Sequence, residues 1–343
     1  MTRKELLTVS VVICAYTDDR WPLLERSVSS VQCQGRTPLE IIVCVDHNDP
    51  LFERCRRRWA HQSHRSSVPV IVLANRYEGH LGSARNSAAE VAVGDIVAFL
   101  DDDAWAEPDW LQWLLLPYEN DHIVAVGGAP TPEFESARPV WFPLEFGWVF
   151  GCEYSGLPET QAPLARLIGA NMSVRRPALV EIGGFHSDNH DDMDMCHRLM
   201  HQRPEDQIVY EPLARVHHRV PEARTTWAYF WRRCFFVNKG KVEAFRHMEG
   251  AANRSADIGF VTRALSRGVP RELRHAIGGD VWAAVRAACI IAGIVVAGAG
   301  HATGQGAWLI RRLLRRHSRV SEAAGLPGPQ RADGGRLNFQ GTA

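Results

Sequence analysis

The chain has 343 residues, with 39 lysines and arginines against 39 aspartates and glutamates, and 45% of its residues are hydrophobic. A chain of this length buries a full core and has room for one large domain plus an appendage. The balanced charge argues against a nucleic-acid partner, and the composition is that of an ordinary globular protein rather than a disordered one.

Met1-Thr2-Arg3-Lys4-Glu5 leads almost at once into a strand-like run, with no signal-peptide pattern. Residues 11–15 are continuously apolar and predict a strand covered on both faces. Pro22 then opens a helix in which Leu24, Val28 and Val31 fall at helical spacing. Residues 41–45 and 68–73 predict a second and a third buried strand, residues 83–93 a helix, and residues 96–100 a fourth strand. Between them, His47-Asn48-Asp49-Pro50 is turn chemistry. Strands alternating with helices in this way predict an α/β fold, with a mostly parallel sheet flanked by crossover helices. Such sheets bind ligands beyond the carboxyl ends of their strands, where Asp46 and Asp101-Asp102-Asp103 stand.

After Pro108 the pattern predicts a short helix over 109–116 and a strand over 123–128, then an aromatic stretch with Trp141, Phe142, Phe146, Trp148, Phe150 and Tyr154. These aromatics read either as core or as a platform for an acceptor. Gly183-Gly184-Phe185 precedes an acidic turn and a helix from about 192 to 201, and residues 208–216 make a strand-like approach to His217-His218. Residues 246–280 read as a linker with a short helix. Residues 281–300 are apolar except for a snorkelling Arg286, and Arg311, Arg312, Arg315, Arg316 and Arg319 share one face of the helix that follows. Together these predict a C-terminal helical extension that associates with a membrane over 281–320, with a disordered tail over 321–343. A buried helical hairpin is the other reading of the same residues. The eight cysteines are scattered without a C-x-x-C pair, which predicts reduced thiols and a cytoplasmic catalytic domain at the inner face of the cell membrane.

Three adjacent carboxylates at a strand end repel one another, and a divalent cation such as Mn2+ or Mg2+ resolves the conflict. Alone, the triplet reads equally as an exposed acidic turn or a helix cap. It belongs, however, to an ordered series: Val11-Val12-Ile13-Cys14-Ala15-Tyr16, Glu40-Ile41-Ile42-Val43-Cys44-Val45-Asp46, Gly82-Ser83-Ala84-Arg85-Asn86, Phe99-Leu100-Asp101-Asp102-Asp103, Gly183-Gly184-Phe185 and Asp191-Asp192-Met193-Asp194. In order and approximate spacing this series resembles the family 2 glycosyltransferases of the GT-A fold over about residues 9 to 240.

The resemblance implies a catalytic domain over 1–245, with a nucleotide-binding half to about 128 and an acceptor half from about 129. Ala15, Tyr16, Asp46, Arg85, Asp101 and Asp102 would bind the nucleotide sugar, Asp46 by accepting the imide N–H of a uracil-type base. Asp103 and Asp101 would hold the metal with His218 as a further ligand, and Asp192 would be the catalytic base beside Asp191. Arg232, Arg233, Lys239 and Lys241 read as stabilisers of the departing diphosphate. The Trp-Phe-Pro-Leu-Glu-Phe-Gly-Trp-Val run at 141–149 and Leu265-Ser266-Arg267-Gly268-Val269 look similar to a subgroup that adds glucuronic acid to sugar-charged polyprenyl phosphates. The implied reaction is metal-dependent, inverting transfer from a UDP-sugar to a hydroxyl of a lipid-linked saccharide or cell-surface glycan precursor. A small-molecule or secondary-metabolite acceptor and a non-catalytic, membrane-attached sugar-binding scaffold are the alternatives. A nucleotidyltransferase is disfavoured because the loop after the first strand, Ala15-Tyr16-Thr17-Asp18-Asp19, is acidic, and a dehydrogenase because G-x-G-x-x-G is missing there.

Overall fold

A computed structural model describes residues 7–59, 68–186, 190–244 and 251–323, and the side chains of 243–244, 251–254 and 310–323 lie outside that description. The first half alternates as its apolar runs require: β1 Val9–Ala15, α1 Trp21–Gln32, β2 Glu40–Val45, α2 Asp49–Trp59, β3 Val70–Ala74, α3 Leu81–Val91 and β4 Ile96–Asp101. β1 pairs in parallel with both β2 and β4, and β2 with β3. The residues of β2 are buried on both faces, which is why its run shows no polar alternation. The turn read at 47–50 is the entry to α2, where Asn48 Oδ1 accepts the backbone N–H of Leu51 at 3.0 Å.

The second half departs from the parallel pattern. β5 Ala104–Ala106, α4 Trp110–Leu115, β6 Ile123–Phe134, β7 Ala162–Pro163, β8 Asn171–Arg175, α5 Arg176–Glu181, α6 Asp191–Gln202 and β9 Gln207–Val220 complete a nine-stranded mixed sheet, ordered β3-β2-β1-β4-β8-β6-β9-β5 with β7 on β9. β8 runs antiparallel to β4 and β6, and β5 antiparallel to β9. The register of β5 places Ala104 opposite His218, so the chain just after the aspartate triplet is stitched to the strand that carries the histidine.

The aromatic stretch settles as core. Trp141, Phe142, Phe146 and Phe150 pack with Phe230 in a third apolar cluster, and Trp141 stacks on Trp227 at 3.9 Å between centroids. Phe230 and Trp227 come from α7 Trp227–Ala244. Residues 251–277, expected as a linker with one short helix, form α8 Ala251–Arg263, a π-helical turn Ala264–Gly268 and α9 Val269–Ile277. Ion pairs explain the difference. Asp257 of α8 pairs with Arg166 at 2.8 Å and Lys241 at 3.5 Å, and buried Glu272 of α9 takes Arg271 at 2.6 Å and Arg286 at 2.7 Å.

α10, Val281–Ala323, lies along α7. Gly304 makes the approach possible, since a Cβ there would stand 2.7 Å from the carbonyl oxygen of Lys239. Arg286 does not snorkel: it pairs with Glu272 and with Asp280 at 2.6 Å, and donates to the Val140 carbonyl at 2.9 Å. Among the described residues, Val281–Leu309 is the one helical stretch long and apolar enough to cross a membrane, and 28% of its most apolar window is buried in the protein. The basic face expected at 311–319 and the tail beyond 323 lie outside the described side chains and residues.

Candidate active site

The parallel strands deliver their C-terminal residues to one cavity of about 730 Å³. Cys14, Ala15 and Tyr16 come from the end of β1, Asp46 and His47 from the end of β2, and Asp101, Asp102 and Asp103 from the end of β4. The second half closes the opposite wall with Phe150, Gly151, His218, Arg224, Tyr229 and Arg233. His47 adopts a left-handed φ of 48°, an uncommon state for a residue with a side chain. It places Nδ1 of its ring 2.7 Å from Asp46 Oδ1, an oxygen that also accepts Asn75 Nδ2 at 2.7 Å.

Asp101, Asp103 and His218 offer one ligand atom each within 4.8 Å of one another, the arrangement of a candidate metal site. Asp103 Oδ1 lies 3.2 Å from His218 Nε2 and Asp103 Oδ2 lies 3.0 Å from Arg20 Nη1. The other ring nitrogen of His218 faces Cys152 Sγ at 3.3 Å, which fixes the imidazole. Burial works to raise the Asp103 pKa, but the hydrogen bond and charge of His218, with Arg20 and Arg224, overcome it and hold the carboxyl below the usual range. Burial and the Asp103 charge push Asp102 the other way, against the pull of Arg20. Two carboxylates and one imidazole suit a Mn2+- or Mg2+-like cation, so the donor set fits the group that the sequence implied.

A second group stands behind this wall. Arg85, which is 2% exposed, does not line the cavity. Its guanidinium donates to Asp191 Oδ2 at 2.6 Å, to the Gly169 carbonyl at 2.9 Å and to Asp101 Oδ1 at 3.3 Å. A Cβ at position 169 would meet the two terminal Arg85 nitrogens at 3.1 and 3.2 Å and Asp192 Oδ2 at 3.2 Å, so a larger residue would make these side chains give way by a few tenths of an ångström. Asp192 accepts the backbone N–H of Gly169 at 3.0 Å and of Met193 at 2.7 Å. Burial and the neighbouring Asp191 charge raise its pKa to about 6 despite Arg85 and these bonds. Asp191 makes no capping bond at the start of α6; its carboxylate is taken by Arg85 instead.

Of the residues expected from sequence, Ala15, Tyr16, Asp46, Asp101, Asp102, Asp103 and His218 therefore share the cavity, while Arg85, Asp191 and Asp192 form the layer behind it. Arg233 is the one of the four expected basic residues that lines the cavity. Lys241 is spoken for by Asp257, and Lys239 lies 6.0 Å from the Phe236 ring. Arg20, Arg224, Tyr229 and Cys152 were not anticipated. Arg20 follows directly on the Asp18-Asp19 loop, whose acidity masked it.

The family model described as glycosyl transferase family 2 matches residues 10–183, which hold β1 to β8 and the whole aspartate triplet. The chain belongs to glycosyltransferase family 2. It is 34% identical, over 68% of its own length and 76% of the relative's, to a glucosyl-dolichyl phosphate glucuronosyltransferase of Haloferax volcanii. It is 26% identical to the succinoglycan biosynthesis protein ExoM of Rhizobium meliloti, over 67% of this chain and 73% of that one. Its fold is similar to that of the mannosyltransferase PcManGT from Pyrobaculum calidifontis, solved with GDP-Man and Mn2+, with a TM-score of 0.55 at 17% identity over 87% of this chain and 88% of that one. As a family 2 glycosyltransferase of the GT-A type, the chain is a hexosyltransferase-class enzyme whose acidic cavity is a candidate metal and donor site.

Proposed function

We propose that this glycosyltransferase moves a sugar, with inversion, from a nucleotide-diphosphate donor of the UDP-sugar class to a hydroxyl of a lipid-linked saccharide or cell-surface glycan precursor. The observation that carries this reading is the meeting of Asp46, Asp101, Asp103 and His218 on one cavity at the carboxyl ends of the parallel strands. Asp46 stands where a base with an imide N–H would be read, and Tyr16 at the cavity edge offers a ring to the same base. The Haloferax relative, by its name, uses a dolichyl-phosphate-linked glucose as acceptor, which supports a lipid-linked acceptor here. The apolar, partly uncovered α10 supports an enzyme that works at a membrane.

In the reaction, the acceptor oxygen attacks the anomeric carbon as the bond from that carbon to the diphosphate oxygen breaks. The electron pair leaves with the diphosphate, and the acceptor proton passes to a base. A divalent cation held by Asp101, Asp103 and His218 would neutralise charge building on the leaving group. Asp192 is the base in this reading: it is the second member of the acidic pair that opens α6, and its pKa of about 6 suits the task. The acceptor would reach it from beside Gly169, since Asp192 does not itself line the donor cavity. Asp191 is a positioning residue that holds Arg85, and Arg85 sets Asp101 against Gly169 and Asp192.

The test is transfer by the full chain in detergent with Mn2+, a panel of UDP- and GDP-sugars, and a glucose-charged polyprenyl phosphate. Metal-dependent formation of a disaccharide lipid of inverted anomeric configuration, read by NMR, is the expected result. Absence of metal-dependent transfer and of donor hydrolysis across the panel would overturn it.

A further inference from the structure

The candidate metal set uses the first and third members of the aspartate triplet and leaves out Asp102. Asp102 is only 4% exposed, yet its side chain lines the cavity. Its Oδ1 accepts Arg20 Nη1 at 3.0 Å, and its Oδ2 is buried with no hydrogen-bond partner among the described residues. A buried carboxylate oxygen is costly to leave unpaired, so Asp102 is held there for a neighbour rather than for its own packing.

That neighbour is Arg20. It sits at the end of a 3-10 turn, Asp18–Arg20, where the chain leaves β1 for α1, and it too lines the cavity. Both of its acidic contacts, to Asp102 Oδ1 and Asp103 Oδ2 at 3.0 Å, fall on the single nitrogen Nη1. Nε and Nη2 have no polar partner among the described residues. The guanidinium also lies 5.3 Å from the ring centroid of Tyr16, on the edge where the nucleotide would enter. A guanidinium stays charged at any working pH and presents several donors in one plane, a form that matches phosphate oxygens. Here one corner of that plane is clamped by carboxylates, and the remaining donors belong to a side chain that lines the cavity with Tyr16 and the metal set.

We propose that Arg20 is a cation of the protein's own for the donor's diphosphate, on the aspartate side of a cavity that Arg224 and Arg233 also line, and that Asp102 is the residue that positions it. The proposal rests on the nucleotide-diphosphate reading above and adds a subsite to it. The triplet then serves two cations: Asp101 and Asp103 face the metal, while Asp102 fixes a permanent charge on the other side of Asp103. It also gives Arg20 a reason to lie on an acidic loop, because the loop presents one positive group toward the cavity.

Isothermal titration of the full chain with Mn2+ and UDP, GDP, uridine or guanosine tests this, alongside R20Q, R20K and D102N and with Tm recorded for each. The wild type binding a diphosphate and R20Q binding it about tenfold more weakly, with nucleoside affinity within about twofold, is the expected outcome. R20K restores part of the loss, and D102N copies the R20Q pattern in milder form. Mn2+ affinity without nucleotide stays equal or tightens in R20Q, because Asp103 loses a competitor for its charge. R20Q binding the diphosphate as the wild type does, or losing nucleoside and diphosphate by the same factor with a fall in Tm, overturns the assignment while leaving the transferase reading intact. Binding of neither diphosphate by the wild type removes both.

Discussion

Asp101, Asp102 and Asp103 stand on the cavity wall, where Arg20 and His218 reach them from different elements, whereas Asp191 and Asp192 stand behind the wall at the start of α6 around a buried arginine. Both groups are runs of carboxylates that a fold can keep only by supplying positive charge. In the first, Asp101 remains partly open to solvent, with 26% of its side chain exposed, so a cation from solution can complete the set. In the second, Arg85 has already supplied the charge to Asp191, and what remains adjustable is the proton on Asp192. One cluster is arranged for a cation from solution, the other around a cation of the protein's own.

The sharpest way to break this contrast is Asp103→Asn. Loss of a metal-facing charge is expected to lower metal-dependent turnover about a thousandfold, roughly 4 kcal/mol of barrier. Mn2+ affinity, followed by paramagnetic resonance, should fall with it. A variant that binds Mn2+ normally would refute the open-cluster reading.

Asp192→Asn comes next, with a turnover loss of about a hundredfold and Mn2+ affinity unchanged. Wild-type turnover should fall as pH drops through about 6, where Asp192 takes up a proton, and a profile flat to pH 5 would count against it. The sign for stability is opposite. A carboxyl whose folded pKa is raised above its ordinary value of 3.8 costs stability above that value, most fully beyond about pH 6. Asp192→Asn should therefore raise Tm at pH 7.5, with the gain fading below about pH 4. A destabilised variant at pH 7.5 would show that its bonds to Gly169 and Met193 outweigh its charge.

Arg85→Gln probes the link between the two clusters. It leaves Asp191 buried without its cation, so a loss of about 3 kcal/mol in stability is expected by denaturant titration, together with lower turnover. The smallest effect on chemistry should come from Glu272→Gln. It loosens α9 and α10 through Arg271 and Arg286 and should lower Tm while leaving detergent-phase turnover within about twofold. A large catalytic loss there would tie the C-terminal layer to the site more closely than its distance in sequence implies.

The parallel half of the sheet was legible because each of its strands is a continuous apolar run closed by polar residues, and the strand ends named the site. Asp46, Asp101 and Asp103 were read from strand ends in this way, and His218, which came from the family resemblance, lines the same cavity. β5, β8 and α5 were missed. β5 and β8 are short and antiparallel, and they exist through pairing with β9, β4 and β6 rather than through any pattern of their own. Arg20 was passed over because local charge balance says nothing of a partner 82 residues away. The helices over 251–277 read as linker because their paired charges, half-exposed Asp257 and buried Glu272, look like solvent-facing residues until Arg166, Lys241 and Arg286 are brought to them.

The contact of Gly304 with the Lys239 carbonyl ties α10 to α7, and α7 places Tyr229 and Arg233 on the cavity wall. Among its described side chains α10 leaves Val281, Trp282, Ile291, Val295 and Leu309 exposed. Whatever holds α10 therefore also holds, through α7, the side of the cavity that carries Tyr229 and Arg233.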